Sequence, residues 1–173
     1  SGQFAMGQTN AQRSLLGLSQ ITKPVAGSAA EAATATARFV SDTMEKQGKL
    51  RSLGVNVNEK GGGLKDPAEI IRDVFKKTGG DMAKIGAIYG ERGVKPFHAL
   101  QSIYNEAERE KKGSGGDAVY NKVIKAERMG YSKEEANADF KNAMGSRSER
   151  IGVAYRRIQD SVETALLPAF EKL

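Results

Sequence analysis

A stretch of short helices separated by glycines constrains this chain more than any other feature. It runs from Gly61 to Tyr104 and reads GGGLKDPAEIIRDVFKKTGGDMAKIGAIYGERGVKPFHALQSIY. Because glycine tolerates sharp turns and positive φ angles, the stretch cannot form one straight rod. Each helix is too short to be stable alone. We therefore predict that these short helices pack into a compact group, supported by longer helices before and after it.

The first helix of this stretch carries three start signals in a row. Asp66 is predicted to be the N-cap, Pro67 fits the first helical position, and Glu69 occupies the acidic position of a capping box. The apolar residues that follow share one helical face: Ile70, Ile71, Val74 and Phe75.

Glycines end this helix and separate the next two. Gly79 is the predicted stop of the first helix, and Asp81 can cap a second that ends at Gly90. After Gly93, a third helix is predicted to begin near Pro96. It is expected to bury some combination of Val94, Phe97, Leu100 and Tyr104.

The segment before this stretch is predicted to contain one weak and one strong helix. Residues 1–27 are small and polar, and we expect them to be poorly ordered or to form a short helix that ends before Pro24. Ser28 and Glu31 then form a capping box. The helix that they open is expected to run to Leu53.

Within residues 55–65, the first four residues, 55–58, alternate apolar and polar side chains before the chain reaches Glu59, Lys60 and the glycines. A small β-hairpin with Leu64 on its return strand fits this pattern, and an irregular loop fits equally well. Residues 28–112 together form the predicted helical core.

The C-terminal part is predicted to add helices that pack on this core. Residues 113–116 indicate a flexible Gly/Ser break, and residues 117–173 follow it, with Asp117 as the first cap. Two further capping boxes are predicted, at Ser132 with Glu135 and at Ser146 with Glu149. In the last helix, a stripe is interpreted mainly as core and alternatively as a partner face: Tyr155, Ile158 and Val162.

The length favours one domain, and the helical patterns along the chain favour the all-α class. The chain has 173 residues, a net charge of +6 and no cysteine, which excludes disulfides and thiolate metal sites. No apolar run reaches the length of a transmembrane helix. We predict a compact bundle of about six to eight helices of unequal length, with at most one small β-hairpin. Because the sequence stops within an apolar helical pattern, we interpret the chain as a piece of a longer protein.

The sequence offers little for catalysis. His98 is the only histidine, so a zinc site would depend on carboxylates, and no nucleophile-elbow pattern is present. The glycine clusters lack the spacing of phosphate-binding loops. We expect no catalytic, cofactor-binding or metal-binding residue and predict that the chain is not an enzyme.

The order of these motifs resembles phage tail tape measure proteins. The matching pieces are the Gly-Val…Gly-x-Leu-x-Asp turn, the short amphipathic helix, the Ile-Tyr-Gly-Glu-Arg-Gly run and the helix that reaches Leu100. The flanking runs GSAAEA from Gly27 and ALLPAF from Ala165 agree with it. The resemblance covers residues 15–173.

This resemblance implies a structural component of a phage or prophage tail. Such a protein sets tail length and occupies the tail tube during assembly and DNA ejection. The implied location is the tail lumen of the virion, and the host cytoplasm during assembly. The implied partners are other tail proteins (tube, tip or initiator, assembly chaperones) or copies of itself, with no small-molecule substrate and with membrane contact only during ejection.

The alternative hypothesis is a helical module that binds DNA. It is weakly supported, because the positive charge is spread evenly along the chain. Either of two sets of residues would carry it: Lys122, Lys125 and Arg128 on one helix, or Arg147, Arg150, Arg156 and Arg157 on another.

Overall fold

A computed structural model describes residues 2–126 of the chain, with side chains described from Arg13 onward. In this part the protein consists of seven helices, which confirms the all-α prediction: α1 (Gly2–Ala26), α2 (Ala29–Glu45), α3 (Gln47–Ser52), α4 (Pro67–Thr78), α5 (Met82–Ile88), α6 (Lys95–Glu110) and α7 (Gly115–Ala126). Between residues 2 and 126, no helix is both long enough and apolar enough to cross a membrane.

Helix α1 packs against four other helices, α2, α4, α6 and α7. Helix α7 also packs on α4 and α6, so the longer helices surround one continuous apolar core. At its centre lie five buried aromatic rings, which we call the aromatic cluster: Phe39, Phe75, Tyr89, Phe97 and Tyr104. Neighbouring ring centroids are 4.8–5.7 Å apart, the range in which aromatic pairs attract.

The three short helices of the central stretch form as predicted. Asp66 caps α4, because its carboxylate accepts the N–H of Ala68 at 2.9 Å, and Pro67 is the first helical residue. Gly79 ends α4 in the left-handed conformation, with φ of 64°. The carboxylate of Asp81 then caps α5. Some combination of four residues in and before α6 was predicted to be buried, and all four are: Val94, Phe97, Leu100 and Tyr104.

The prediction that residues 1–27 are poorly ordered or form a short helix ending before Pro24 is wrong in both length and end point, since α1 has 25 residues. Helix α1 continues through Pro24, and the N–H of Gly27 still bonds the carbonyl of Lys23 at 3.0 Å. Proline removes one helical hydrogen bond and crowds the preceding turn. Pro24 lies in the last turn and is exposed. The energetic cost of the proline is therefore reduced, because carbonyl groups there can tilt outward and bond to water.

The predicted long helix starting at Ser28 is divided in two. Ser28 caps it as expected, since its hydroxyl accepts the N–H of Glu31 at 3.1 Å. The helix ends at Glu45, however, and α3 follows after Lys46, whose ψ is 21°. The Thr43 hydroxyl donates to the Phe39 carbonyl at 2.8 Å, an arrangement that often bends helices.

Residues 55–65 return on themselves with a single antiparallel bridge between Asn58 and Leu64. The N–H of Lys65 also bonds the carbonyl of Val57 at 2.8 Å. No longer strand pair is present within residues 2–126. The segment is therefore a loop closed by one bridge, and the two strands of a regular hairpin do not form here.

The predicted flexible break at residues 113–116 is wrong for its second half. Gly115 and Gly116 are buried and begin α7, so Asp117 is the third residue of this helix instead of its cap. A methyl group at Gly115 would lie 2.6 Å from Tyr104 Cδ2, and one at Gly116 would lie 2.6 Å from Lys76 Cε. These glycines serve close packing.

Several predictions fall outside the described residues. They are the capping boxes Ser132 with Glu135 and Ser146 with Glu149, the stripe Tyr155, Ile158 and Val162, and the packing of the segment after Ala126.

Candidate functional site

The segment that joins α5 to α6 is Tyr89–Val94, which we call the YGERGV turn. Its first residue, Tyr89, is fully buried and stacks on Phe39 at a centroid distance of 5.3 Å. The Tyr89 hydroxyl and the Thr43 hydroxyl share a hydrogen bond of 2.8 Å. Burial raises the pKa of Tyr89, so the phenol stays protonated. The start of the turn is thus fixed to α2.

A buried carboxylate fixes the next residue of the turn. Asp42 on α2 accepts the N–H of Gly90 at 3.3 Å, although the two residues are 48 positions apart. The other Asp42 oxygen lies 3.5 Å from Nε of Arg38. Burial raises the pKa of Asp42, and the Gly90 N–H and the Arg38 charge oppose this rise.

The two glycines of the turn differ in what requires them. A methyl group at Gly93 would overlap the carboxylate of Asp42 and would lie 3.5 Å from the Arg38 carbonyl oxygen. Gly90 has its nearest such neighbour at 4.0 Å, so its environment leaves room for a side chain. Gly93 is therefore the position at which only glycine fits.

The tip of the turn faces solvent above this fixed base. Gly90, Glu91 and Arg92 are exposed, whereas Tyr89, Gly93 and Val94 are buried. The geometry thus presents one carboxylate and one guanidinium on a backbone that is held at both ends. Such a surface suits recognition of another polar surface.

A second fixed junction lies between α6 and α7. The Tyr104 ring stacks on Phe75 at 4.9 Å and contacts the backbone of Gly80 and Gly115. A carboxylate oxygen of Glu108 accepts the N–H of Gly115 at 2.7 Å. Burial raises the pKa of Tyr104, and the Glu108 charge adds to the rise.

Beside this junction is an open depression of about 610 Å³. Its lining combines apolar and polar atoms in similar amounts and comes from six residues: Gly79, Ser102, Tyr104, Asn105, Glu108 and Arg109. Small-molecule sites are concave and mostly apolar, with a few polar groups. The depression is open to solvent, and the Tyr104 ring is the only large apolar group among its lining residues, so it does not resemble such a site.

A third junction connects α1 to α4. Asp66, the cap of α4, also accepts a hydrogen bond from the Ser14 hydroxyl on α1. Burial raises the pKa of Asp66, and the hydrogen bonds from Ser14 and from the Ala68 N–H oppose the rise. Glu69 was predicted to be the acid of a capping box with Asp66. Its carboxylate lies 3.8 Å from the guanidinium of Arg72.

The remaining candidates for chemistry are dispersed. His98 is exposed on α6, and within residues 2–126 no three histidine or acidic side chains are placed to hold a metal ion. Lys122 and Lys125 are exposed on α7. The other residues of the DNA hypothesis lie outside the described part: Arg128, Arg147, Arg150, Arg156 and Arg157.

Sequence reasoning missed the acids that fix these junctions, Asp42 and Glu108. A signal for Asp42 exists, because it lies three residues after Phe39 and next to Thr43, on the buried side of α2. A lone acid on such a face must find a partner. One partner is Arg38, four residues earlier on α2, a spacing that the sequence does show. The other is the backbone N–H of Gly90, which no side-chain pattern reveals.

A scan against models of protein families gave no match, and searches of curated proteins and of solved structures gave none either.

Proposed function

We propose that this chain is a structural module of a phage or prophage tail tape measure protein, which docks to other tail proteins or to copies of itself. The proposal assigns the module no catalytic step, cofactor or small-molecule substrate. It places the module in the tail lumen of the virion, after assembly in the host cytoplasm. Membrane contact belongs only to ejection.

One observation carries the proposal. The motifs that resemble this family also contain most of the packing centre, since Phe75, Tyr89, Phe97 and Tyr104 all lie in the Gly61–Tyr104 stretch. The YGERGV turn, which is part of the resemblance, is held on α2 by Asp42. A fixed polar tip is what docking requires, because ordering a mobile loop would weaken binding.

The helical ruler of such a protein converts residue number into distance at about 1.5 Å per residue. The described part breaks this relation, since its helices fold back on one another. Docking near one end of the ruler is therefore the role that we propose for it.

Two changes in the full-length protein separate docking from length measurement. An in-frame deletion of residues 28–173 removes 146 residues, which as continuous helix would span about 220 Å. We expect loss of tails or tails of irregular length in electron micrographs. Intact tails that are merely shorter by that amount would contradict a docking role.

The second change keeps the residue number constant. Phe97→Ala removes a ring from the centre of the aromatic cluster, whereas Val25→Ala, at an exposed position, is the matched control. We expect the first variant to reduce the number of tails and the control to assemble normally. A normal yield of tails from Phe97→Ala would show that the folded module is dispensable.

A further inference from the structure

The tip of the YGERGV turn carries two opposite charges that are available to a second protein. Glu91 and Arg92 are adjacent and exposed, and between residues 13 and 126 neither side chain forms an ion pair. The backbone beneath them is fixed, since the N–H of Val94 bonds the carbonyl of Gly90 at 3.0 Å across the turn. A carboxylate and a guanidinium therefore stand side by side on a backbone whose position the fold determines.

The exposed residues directly before this tip are small. Helix α5 buries Ile85 and Ile88 towards the core. Ala87 is exposed on α5, and Gly90 is exposed at the start of the turn. Neither residue has a side chain long enough to cover the tip. A second protein surface can therefore approach the turn closely enough to reach both charges.

The local charge favours a second copy of this chain as the partner. Residues 81–92 contain two acids and two bases, which sum to zero: Asp81, Glu91, Lys84 and Arg92. The chain as a whole has a net charge of +6, so two copies repel each other, and the repulsion is least where neutral segments meet. A strongly acidic partner would gain little from a neutral segment.

We propose that two copies of the chain meet at their YGERGV turns about a two-fold axis, with Glu91 of each copy paired to Arg92 of the other. A two-fold axis sets the same patch of both copies face to face, so the patch must be complementary to itself. One acid beside one base meets this condition, because the rotation sets each charge against its opposite. The proposal rests on the docking role proposed for this turn and identifies its partner.

The contact is expected to be weak. Exposed ion pairs stabilise little, and a contact confined to two turns is of the small, transient kind. We expect a dissociation constant of about 0.1–1 mM at low salt. Copies confined in one assembly reach effective concentrations of roughly this size, so a weak contact is sufficient to align them.

The test uses the two-fold pairing itself. Glu91→Arg leaves two cations on the turn and Arg92→Glu leaves two carboxylates, so each variant alone sets like charges against each other, whereas a mixture restores both pairs. Glu106→Arg and Arg109→Glu, at exposed positions of α6, are the controls, with the same changes of net charge, from +6 to +8 and to +4. Sedimentation equilibrium of the whole chain, up to about 1 mM, measures the dissociation constants. Circular dichroism checks that every variant is folded.

We expect each turn variant alone to dimerise about tenfold more weakly than the original chain, and an equimolar mixture of the two to return to within about threefold of it. The reversed variant Glu91→Arg/Arg92→Glu should dimerise as the original does. The two α6 controls should stay within about twofold of the original. Added salt should weaken the original dimer, because exposed charges are screened.

Several results would overturn the proposal. One is an original chain that stays monomeric at about 1 mM. Another is a pair of turn variants that lose no more than the α6 controls, because net charge alone would then govern self-association. A mixture that dimerises no better than its components would exclude the two-fold pairing. The tail function is tested separately, by the deletion and by Phe97→Ala, so each proposal can fail without the other.

Discussion

Helix α2 is held on two sides by different chemistry. Towards the centre of the bundle, Phe39 contributes its ring to the aromatic cluster, where burial of apolar area stabilises the contact. Towards α1, the hydroxyl of Ser19 donates to the hydroxyl of Thr36 at 3.0 Å, and that of Thr36 donates to the carbonyl of Ala32 at 2.8 Å. The first contact depends on shape and volume, and the second on keeping every buried polar group paired.

The largest effect is expected in the aromatic cluster. Phe97→Ala removes a fully buried ring that lies 4.8 Å from Tyr89, 5.6 Å from Phe75 and 5.7 Å from Phe39, measured between ring centroids. We expect the free energy of unfolding to fall by about 3–5 kcal/mol, measured by urea denaturation. Val25→Ala should change it by less than about 0.5 kcal/mol. A loss from Phe97→Ala below about 1 kcal/mol would mean that the cluster contributes little.

The next prediction separates packing from backbone strain. Gly80 and Gly62 both have positive φ angles, 76° and 91°, but only Gly80 faces a side chain, since a methyl group there would lie 2.7 Å from Tyr104 Cε1. We expect Gly80→Ala to cost about 3 kcal/mol and Gly62→Ala about 1 kcal/mol. Urea denaturation of the two variants measures the difference. Equal losses of stability would show that the Tyr104 ring can move aside without a further cost in packing.

The aromatic side of α2 and its hydrogen-bonded side towards α1 also differ in how readily they can be predicted from the sequence. The central stretch could be predicted because caps such as Asp66 and stops such as Gly79 are local, and because its apolar residues recur at helical spacing. The contact with α1 could not, since buried Ser19 and Thr36 look like surface residues to any hydropathy pattern. Apolar periodicity detects burial by area, and it misses burial by hydrogen bonding.

The roles of Gly115, Asp42 and Glu108 were missed for a similar reason. Gly115 was expected in a flexible break because composition cannot distinguish a glycine needed for freedom from one needed for close approach. The Asp42 carboxylate accepts the backbone N–H of Gly90, and the Glu108 carboxylate accepts that of Gly115. Every residue except proline has such a donor, so the sequence gives no sign of which one is used.

A pair of variants tests the hydrogen-bonded side of α2. Thr36→Val keeps the shape of the side chain but leaves the buried Ser19 hydroxyl without the acceptor that it has now. We expect a loss of about 2 kcal/mol in the free energy of unfolding. The double variant Ser19→Ala/Thr36→Val should recover part of this loss, because it removes both partners. A double variant less stable than Thr36→Val would mean that packing, and not pairing, governs this contact.

Asp42 on α2 accepts a hydrogen bond from the YGERGV turn, and its ionisation gives the smallest effect that we expect. Burial raises its pKa above the ordinary value of 3.8, so the folded state holds the proton more tightly than the unfolded state does. The stabilising contribution of this group is therefore fully present below pH 3.8 and is lost as the pH rises through the folded pKa. Asp42→Asn removes the titration while keeping an oxygen that can accept the Gly90 N–H.

We accordingly expect the difference in unfolding free energy between the original protein and Asp42→Asn to shift in favour of the original as the pH falls from neutral to below 3.8. Burial raises the pKa of Asp66 as well, but its contribution is common to both proteins and cancels in the difference. Urea denaturation at a series of pH values measures it. The opposite slope would mean that the Arg38 charge and the Gly90 N–H outweigh burial, and that Asp42 acts as a charged fastening of the turn.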